Sequence, residues 1–266
     1  MEPIVFIFVI CIVMGSLVGI LAGLLGIGGG LIMVPALVYL FVNSLKLDLS
    51  LAMPMAIATS LSTIILTGLS ASWAHYKLNN LNRFVLLWSG MGIAAGSILG
   101  AQLASIMPGE VLKDVFAYLV IIIALQMVFG GRRESVHKMS KTILVFVGLA
   151  TGSMSALMGI GGGSIIVPAL VWFKVNIKQA IGCASFCGLI IALFGSASFI
   201  QAGWGNTMLP AGAFGYVYLP ASLGIVITSV FTAGLGAKMG ARLNTHLLKQ
   251  IFAGFLVLVS LRMIVG

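Results

Sequence analysis

One glycine-rich stretch occurs twice in this chain, half a chain apart. The first copy is Gly26-Ile27-Gly28-Gly29-Gly30, followed by Val34-Pro35-Ala36-Leu37-Val38; the second is Gly159-Ile160-Gly161-Gly162-Gly163, followed by Val167-Pro168-Ala169-Leu170-Val171. The offset is 133 residues in a chain of 266, and residues 19–43 and 152–176 are identical at 15 of 25 aligned positions. The match continues with small gaps: Ser70-Ala71-Ser72-Trp73 over Ser196-Ala197-Ser198-Phe199, and Gly100-Ala101 and Leu112-Lys113 over Gly236-Ala237 and Leu248-Lys249. The chain is therefore a duplication. Its repeated point is a place where glycine interrupts a helix.

The medium for this duplication is a bilayer. The chain is 61% hydrophobic and 7% charged, against about 25% charged in an ordinary soluble domain. Apolar segments fall at 4–25, 31–42, 52–74, 84–106, 111–129, 142–158, 164–175, 179–200, 210–236 and 248–265. Most have the ~17–25 residues a spanning helix needs. Segments 31–42 and 164–175 do not; twelve helical residues reach about 18 Å, against a hydrocarbon core of about 30 Å. Both directly follow a glycine loop. Short, Gly/Pro-interrupted segments at corresponding places in two halves are the best sequence pointer to a transporter's binding site. Residues 4–25 read as a retained transmembrane helix, because no basic n-region or cleavage pattern accompanies them.

The strongly polar stretch Gly130–Lys141 joins the halves and is expected to be cytoplasmic by the positive-inside rule. Five crossings per half, counted outward from it, place eleven of the fourteen basic residues inside; only Lys46, Lys113 and Arg262 fall outside. The expected fold is thus an all-α polytopic membrane protein. It comprises a first transmembrane repeat (1–130), a basic cytoplasmic linker (131–141) and a second repeat (142–266). An odd number of segments per half makes the repeats inverted, with the short glycine-broken helices near the midplane. The net charge of +9 belongs to cytoplasmic loops and implies no nucleic-acid partner. Trp73, Trp88, Trp172 and Trp204 lie near segment ends, as an aromatic belt requires.

The candidate substrate site is built from Gly28, Gly29, Gly30, Gly161, Gly162 and Gly163. Successive glycines allow close approach and expose N–H groups at the start of the next helix, which makes an anion site without a charged side chain. The competing reading is that these glycines only permit tight helix packing. Pro35 and Pro168 are expected to kink or break the short helices. Thr59, Ser60 and Ser185 are candidate hydroxyl donors to an oxyanion, in aligned positions of the two halves; the alternative is that they bond back to their own helices. Asn43 and Asn176 read as helix C-caps. His75 and Gln201 occupy equivalent places near helix ends and are candidates for a gating or proton-sensitive role, or simply interfacial polar residues. Cys183 and Cys187, four apart on one helix face, could contact sulfur. No Cys/His spacing supports a metal site, no cofactor is implied, and no P-loop follows the glycines. No Asp or Glu lies in the interior of a predicted span, so protons would travel on His75, a cysteine or the substrate itself. An enzyme would need a catalytic cluster inside the membrane, and none is legible.

These motifs resemble the sulfite exporter TauE/SafE family, also called the four-toluene sulfonate uptake permease group. The likeness rests on Gly-x-Gly-Gly-Gly-x-x-x-Val-Pro-Ala-Leu in each half, on Ala56-Ile57-Ala58-Thr59-Ser60-Leu61, on Ala74-His75-Tyr76-Lys77 and on Gly215-Tyr216-Val217-Tyr218-Leu219-Pro220-Ala221. The second half has Gly182-Cys183-Ala184-Ser185 where the family more often has Thr-Ser. The resemblance implies a multi-pass protein of the bacterial cytoplasmic membrane. It would export a small sulfur-containing anion, such as sulfite, sulfoacetate or another organosulfonate, with a homodimer as the assembly to consider. The alternative is uptake of thiosulfate or another reduced-sulfur anion through Cys183 and Cys187.

Overall fold

A computed structural model describes residues 3–25, 29–129, 140–173, 175–240 and 245–265. The described residues form ten helices: α1 (Pro3–Leu25), α2 (Gly30–Ser44), α3 (Leu49–Lys77), α4 (Arg83–Ile106), α5 (Gly109–Phe129), α6 (Lys141–Met158), α7 (Gly163–Trp172), α8 (Ile177–Ala202), α9 (Leu219–Gly240) and α10 (Thr245–Val265). Each apolar segment of the sequence corresponds to one of them. The only strands among the described residues are β1 (Ala213–Phe214) and β2 (Val217–Tyr218), a two-residue antiparallel hairpin. Four helices, α3, α4, α6 and α8, are long and apolar enough to cross a membrane within the described residues. Residues 130–139, which hold most of the basic linker, Gly28 and Lys174 lie outside the described residues.

Helix starts are set by side-chain oxygens where the chain leaves water. Asn82 accepts from the N–H groups of Phe84 and Val85 to open α4, and Ser140 accepts from Ile143 N–H to open α6. Each satisfies donors that the first turn cannot use internally. Asn176 belongs to this group. It accepts from Lys178 N–H and caps the start of α8, not the end of α7 as its alignment with Asn43 suggested. The reason is that α7 already stops at Trp172. Asn43 stays inside α2 and donates to Tyr39 O.

The short helices remain short: α2 has 15 residues and α7 has 10, about 22 and 15 Å. Both run continuously through their proline, so Pro35 and Pro168 do not break them. Each proline is the sixth residue of its helix, past the first turn, so the carbonyl of Leu31 or Ser164 loses its usual donor while the helix continues. One apolar segment is shorter than its hydropathy. Residues 210–218 are turns and the β-hairpin, and α9 begins only at Leu219. Pro210 and the left-handed glycines Gly212 (φ 90°) and Gly215 (φ 56°) exclude a helix there, although the side chains are apolar.

The helix pairings follow the duplication. The broadest packed pairs are α1 with α9 and α4 with α6, and these exchange when each helix is replaced by its counterpart in the other half. Helices α3 and α8 pair with each other, as do α5 and α10. The close crossings are glycine-lined on both sides of this relation. Gly15 and Gly19 of α1 press on the backbone of Ile225 and Ser229 in α9, and their repeat equivalents Gly148 and Gly152 of α6 press on the backbone of Ser89 and Ile93 in α4. Small residues that let backbones approach are the usual basis of helix association in lipid. The packing role of glycine is therefore fulfilled at these crossings. The core they enclose is formed by Leu37, Phe41, Met53, Met55, Ile57 and Leu61 among others, all fully buried. The large exposed apolar side chains, such as Val13, Leu17, Leu99, Ile122 and Phe231, form the lipid-facing exterior. Lys77 over Trp73 and Lys141 over Trp88, with ring centroids 5.5 and 4.9 Å away, place cations beside the aromatic rings at helix ends.

Candidate functional site: the paired glycine loops

Helix α6 ends because Gly159 turns left-handed (φ 65°). Gly159 N–H donates to Ala156 O and Ile160 N–H to Ser155 O, the paired closure of a Schellman motif. Three residues later Gly162 is again left-handed (φ 71°) and caps α7. Its carbonyl accepts from Ile165 and Ile166, and Gly161 O accepts from Gly163 N–H. Among the described residues, the N–H groups of Gly161, Gly162 and Ser164 have no partner. They form the open, positive end of the α7 dipole.

The end of the first glycine loop, Gly30, is brought against this one. Gly30, the first residue of α2, packs so tightly that a Cβ there would overlap Gly159 O and lie 3.1 Å from Ile160 Cα. Ser60 of α3, fully buried, donates its hydroxyl to the same Gly159 O at 2.8 Å. From the other side, Gly188 of α8 lies against Gly161 O. The second loop thus sits where α2, α3, α6 and α8 meet. Gly29 caps α2, its carbonyl accepting from Ile32 and Met33.

The hydroxyl candidates divide. Thr59 and Ser60 are both fully buried in this region. The Thr59 Oγ1 accepts from Tyr218 N–H at 3.0 Å, which ties α3 to the end of the β-hairpin and leaves the Thr59 hydrogen free to donate. Ser185 lies one turn before Gly188, but its hydroxyl returns to Ile181 O at 3.0 Å on its own helix. His75 and Gln201 sit elsewhere. His75 is fifteen residues beyond Ser60 on α3, about 22 Å along the axis, and its Nδ1 is buried without a partner. Gln201 is exposed at the end of α8. Cys183 and Cys187 are buried and face α4: Asn82 N–H lies 3.4 Å from Cys183 Sγ, and Ser89 Oγ lies 3.7 Å from Cys187 Sγ. Among the described residues, no three His, Cys, Asp or Glu gather as a metal site would require.

Two buried hydroxyls at the second loop escape a motif reading. Ser155 and Ser164 have no hydrogen-bond partner. Their places in the first copy are held by Ala22 and Leu31, so the departure of one copy from the other is the signal that could have marked them. Tyr218, fully buried against Phe41 with ring centroids 5.5 Å apart, also has an unpartnered hydroxyl.

The ten apolar helices of the described residues, two of them short and glycine-capped, make a multi-pass membrane protein. The chain belongs to the family described as "Sulfite exporter TauE/SafE", whose sequence pattern it matches over residues 11–263. It is 42% identical to a "Probable membrane transporter protein" of Haemophilus influenzae over 261 residues, covering 96% of this chain and 97% of the relative. It is 27% identical to the "Probable membrane transporter protein YunE" of Bacillus subtilis, covering 97% of each chain. It is also 26% identical to the "Probable membrane transporter protein MJ0441" of Methanocaldococcus jannaschii, covering 95% of this chain and 94% of that one. No solved structure matches it significantly.

Proposed function

We propose that this protein is a secondary transporter that exports a small sulfur-containing anion, sulfite or an organosulfonate, across the bacterial cytoplasmic membrane. The two halves are inverted repeats. The basic linker lies in the cytoplasm, and one repeat rocks against the other around the paired glycine loops. The observation that carries this reading is the contact of Gly30 with Gly159, because it joins the duplicated helix breaks at one place in the bundle. Broken backbone at membrane depth persists only where it lines a cavity or is buried in protein. Free N–H groups at a helix start favour an anion. The family's description supplies the substrate class.

Coupling follows from what the spans lack. Asp114, in the second turn of α5, is the acidic residue furthest inside any helix, so no buried carboxylate relay is legible. Sulfite titrates near neutral pH, so the proton can ride on the substrate. An acidic exterior is therefore expected to speed uptake of labelled sulfite into proteoliposomes while leaving a non-titrating sulfonate unchanged. Equal acceleration of both would place the proton on the protein.

The thiols give a second test. They face α4, while the α8 contacts with the loop come through Gly188 and Ile191. Replacing Cys183 and Cys187 together by Ala is expected to retain at least about half of the initial sulfite uptake rate, since a small buried thiol behaves as a small hydrophobe. Loss of all uptake in a variant that still purifies as a folded protein would favour the route in which these thiols contact reduced sulfur.

A further inference from the structure

The two glycine loops are alike in sequence but unlike in what surrounds them. Ser155 stands in the last turn of α6, fully buried. Its Oγ points at the cap of α7, 3.7 Å from where a Cβ of Gly162 would lie, and has no partner. Ser164, in the first turn of α7, also carries a buried Oγ without a partner. Many hydroxyls elsewhere in the molecule are satisfied within their own helix. Ser62, Thr63, Ser89, Ser97, Ser105 and Ser153 each donate to a carbonyl three or four residues back. A buried hydroxyl left unpaired costs on the order of 1–3 kcal/mol, and such exceptions call for an explanation. Ser72, Ser196 and Ser260 are also unpartnered, but each lies beyond the first turn of its helix, where the backbone donors are already used. Among the described residues, only at the second loop do the free hydroxyls coincide with free N–H groups, those of Gly161, Gly162 and Ser164.

On the basis of the transport reading above, we propose that the SO3 group of the substrate anion is seated on the second glycine loop, with Ser155 and Ser164 as its hydroxyl donors. Gly30 of the first loop serves as a wall. The halves are therefore unequal: Ala22 and Leu31 occupy the equivalent places in the first copy, and Leu31 is packed in the core, so that loop offers no matching hydroxyls. Three or more converging donors suit the several oxygens of a sulfite or sulfonate headgroup. The surrounding Gly30, Val34, Ile57, Ser60, Gly188 and Ile191 bring no charge. The seat thus holds an anion by dipoles alone, strongly enough to desolvate it and weakly enough to release it.

The test is initial-rate uptake of labelled sulfite into proteoliposomes of the whole protein, with wild type, Ser155→Ala, Ser164→Ala, the double variant, and Ser196→Ala as a buried unpartnered control. Melting of the detergent-solubilised proteins with and without sulfite is measured in parallel. Each loop variant is expected to raise KM about tenfold, the usual loss for a hydrogen bond to a charged group. Maximal rate and ligand-free melting temperature should stay near wild type, and the melting shift given by sulfite should shrink. Ser155→Thr, which keeps the hydroxyl, is expected to recover part of the affinity. Unchanged KM in the double variant, while Gly30→Val still abolishes saturable uptake, overturns the seat and leaves the paired-loop transport reading standing. No saturable uptake by the wild type with sulfite or a sulfonate overturns that reading and the seat together. A tenfold KM rise in Ser196→Ala overturns the assignment to these two serines.

Discussion

Gly30→Val is expected to abolish saturable anion uptake, to below about a tenth of the wild-type initial rate, in a protein that still folds and inserts. A Cβ at position 30 would overlap the carbonyl oxygen of Gly159 and crowd Ile160 Cα at 3.1 Å. Both are backbone atoms, so no rotamer change makes room. The start of α2 must retreat from the second loop, and the carbonyl that Ser60 holds at 2.8 Å is displaced with it. Overpacking of this kind costs about 1–3 kcal/mol, a tolerable loss of stability. At a site where donors must converge on one anion, a displacement of about 1 Å is enough to lose a hundredfold in rate. Initial rates in proteoliposomes, with circular dichroism to confirm the helical fold, check this. Retention of more than half the rate would mean that the contact between the loops has no part in the path.

The second large effect falls on stability. In the α4–α6 crossing, a Cβ at Gly96 would run into the backbone of Leu149, and one at Gly152 would run into the backbone of Ile93, 2.9 Å from its Cα. Gly96→Val and Gly152→Val are each expected to force the helices apart and to lower the melting temperature in detergent by about 2–12 °C, from a loss of about 1–3 kcal/mol at 2–4 °C per kcal/mol. Gly254 of α10 has nothing within 4 Å of its Cβ position, so Gly254→Ala is expected to leave the melting temperature within about 2 °C. If all three variants melt alike, glycine at the crossing is incidental to packing.

Much of the architecture was legible because hydropathy and duplication speak of local properties. Ten apolar segments became ten helices, and the shortness of α2 and α7 followed from the distance between the glycine loops and the polar ends. Gly159 and Gly162 signalled a break because left-handed backbone favours glycine. What pairwise packing decides was not legible. Nothing in Gly30 says that it will meet Gly159, and nothing in Ser185 says that its hydroxyl will return to Ile181 while Ser155 is left free. The β-hairpin before α9 was hidden for another reason: its segment is apolar enough to read as part of a span, and Pro210 with the positive φ angles of Gly212 and Gly215 is what breaks it. Asn176 misled because repeat alignment equates sequence positions, whereas a cap depends on which helix end lies beside it.

The central claim is that the paired glycine loops carry a small sulfur oxyanion. The measurement that tests it most directly is counterflow of labelled sulfite into proteoliposomes preloaded with unlabelled sulfite, run on the wild type and on Gly30→Val side by side. The account predicts a transient overshoot of label in the wild type, suppressed by external organosulfonate and absent from the folded variant. Equal overshoot in both, or none in the wild type with sulfite or sulfonate inside, would contradict it.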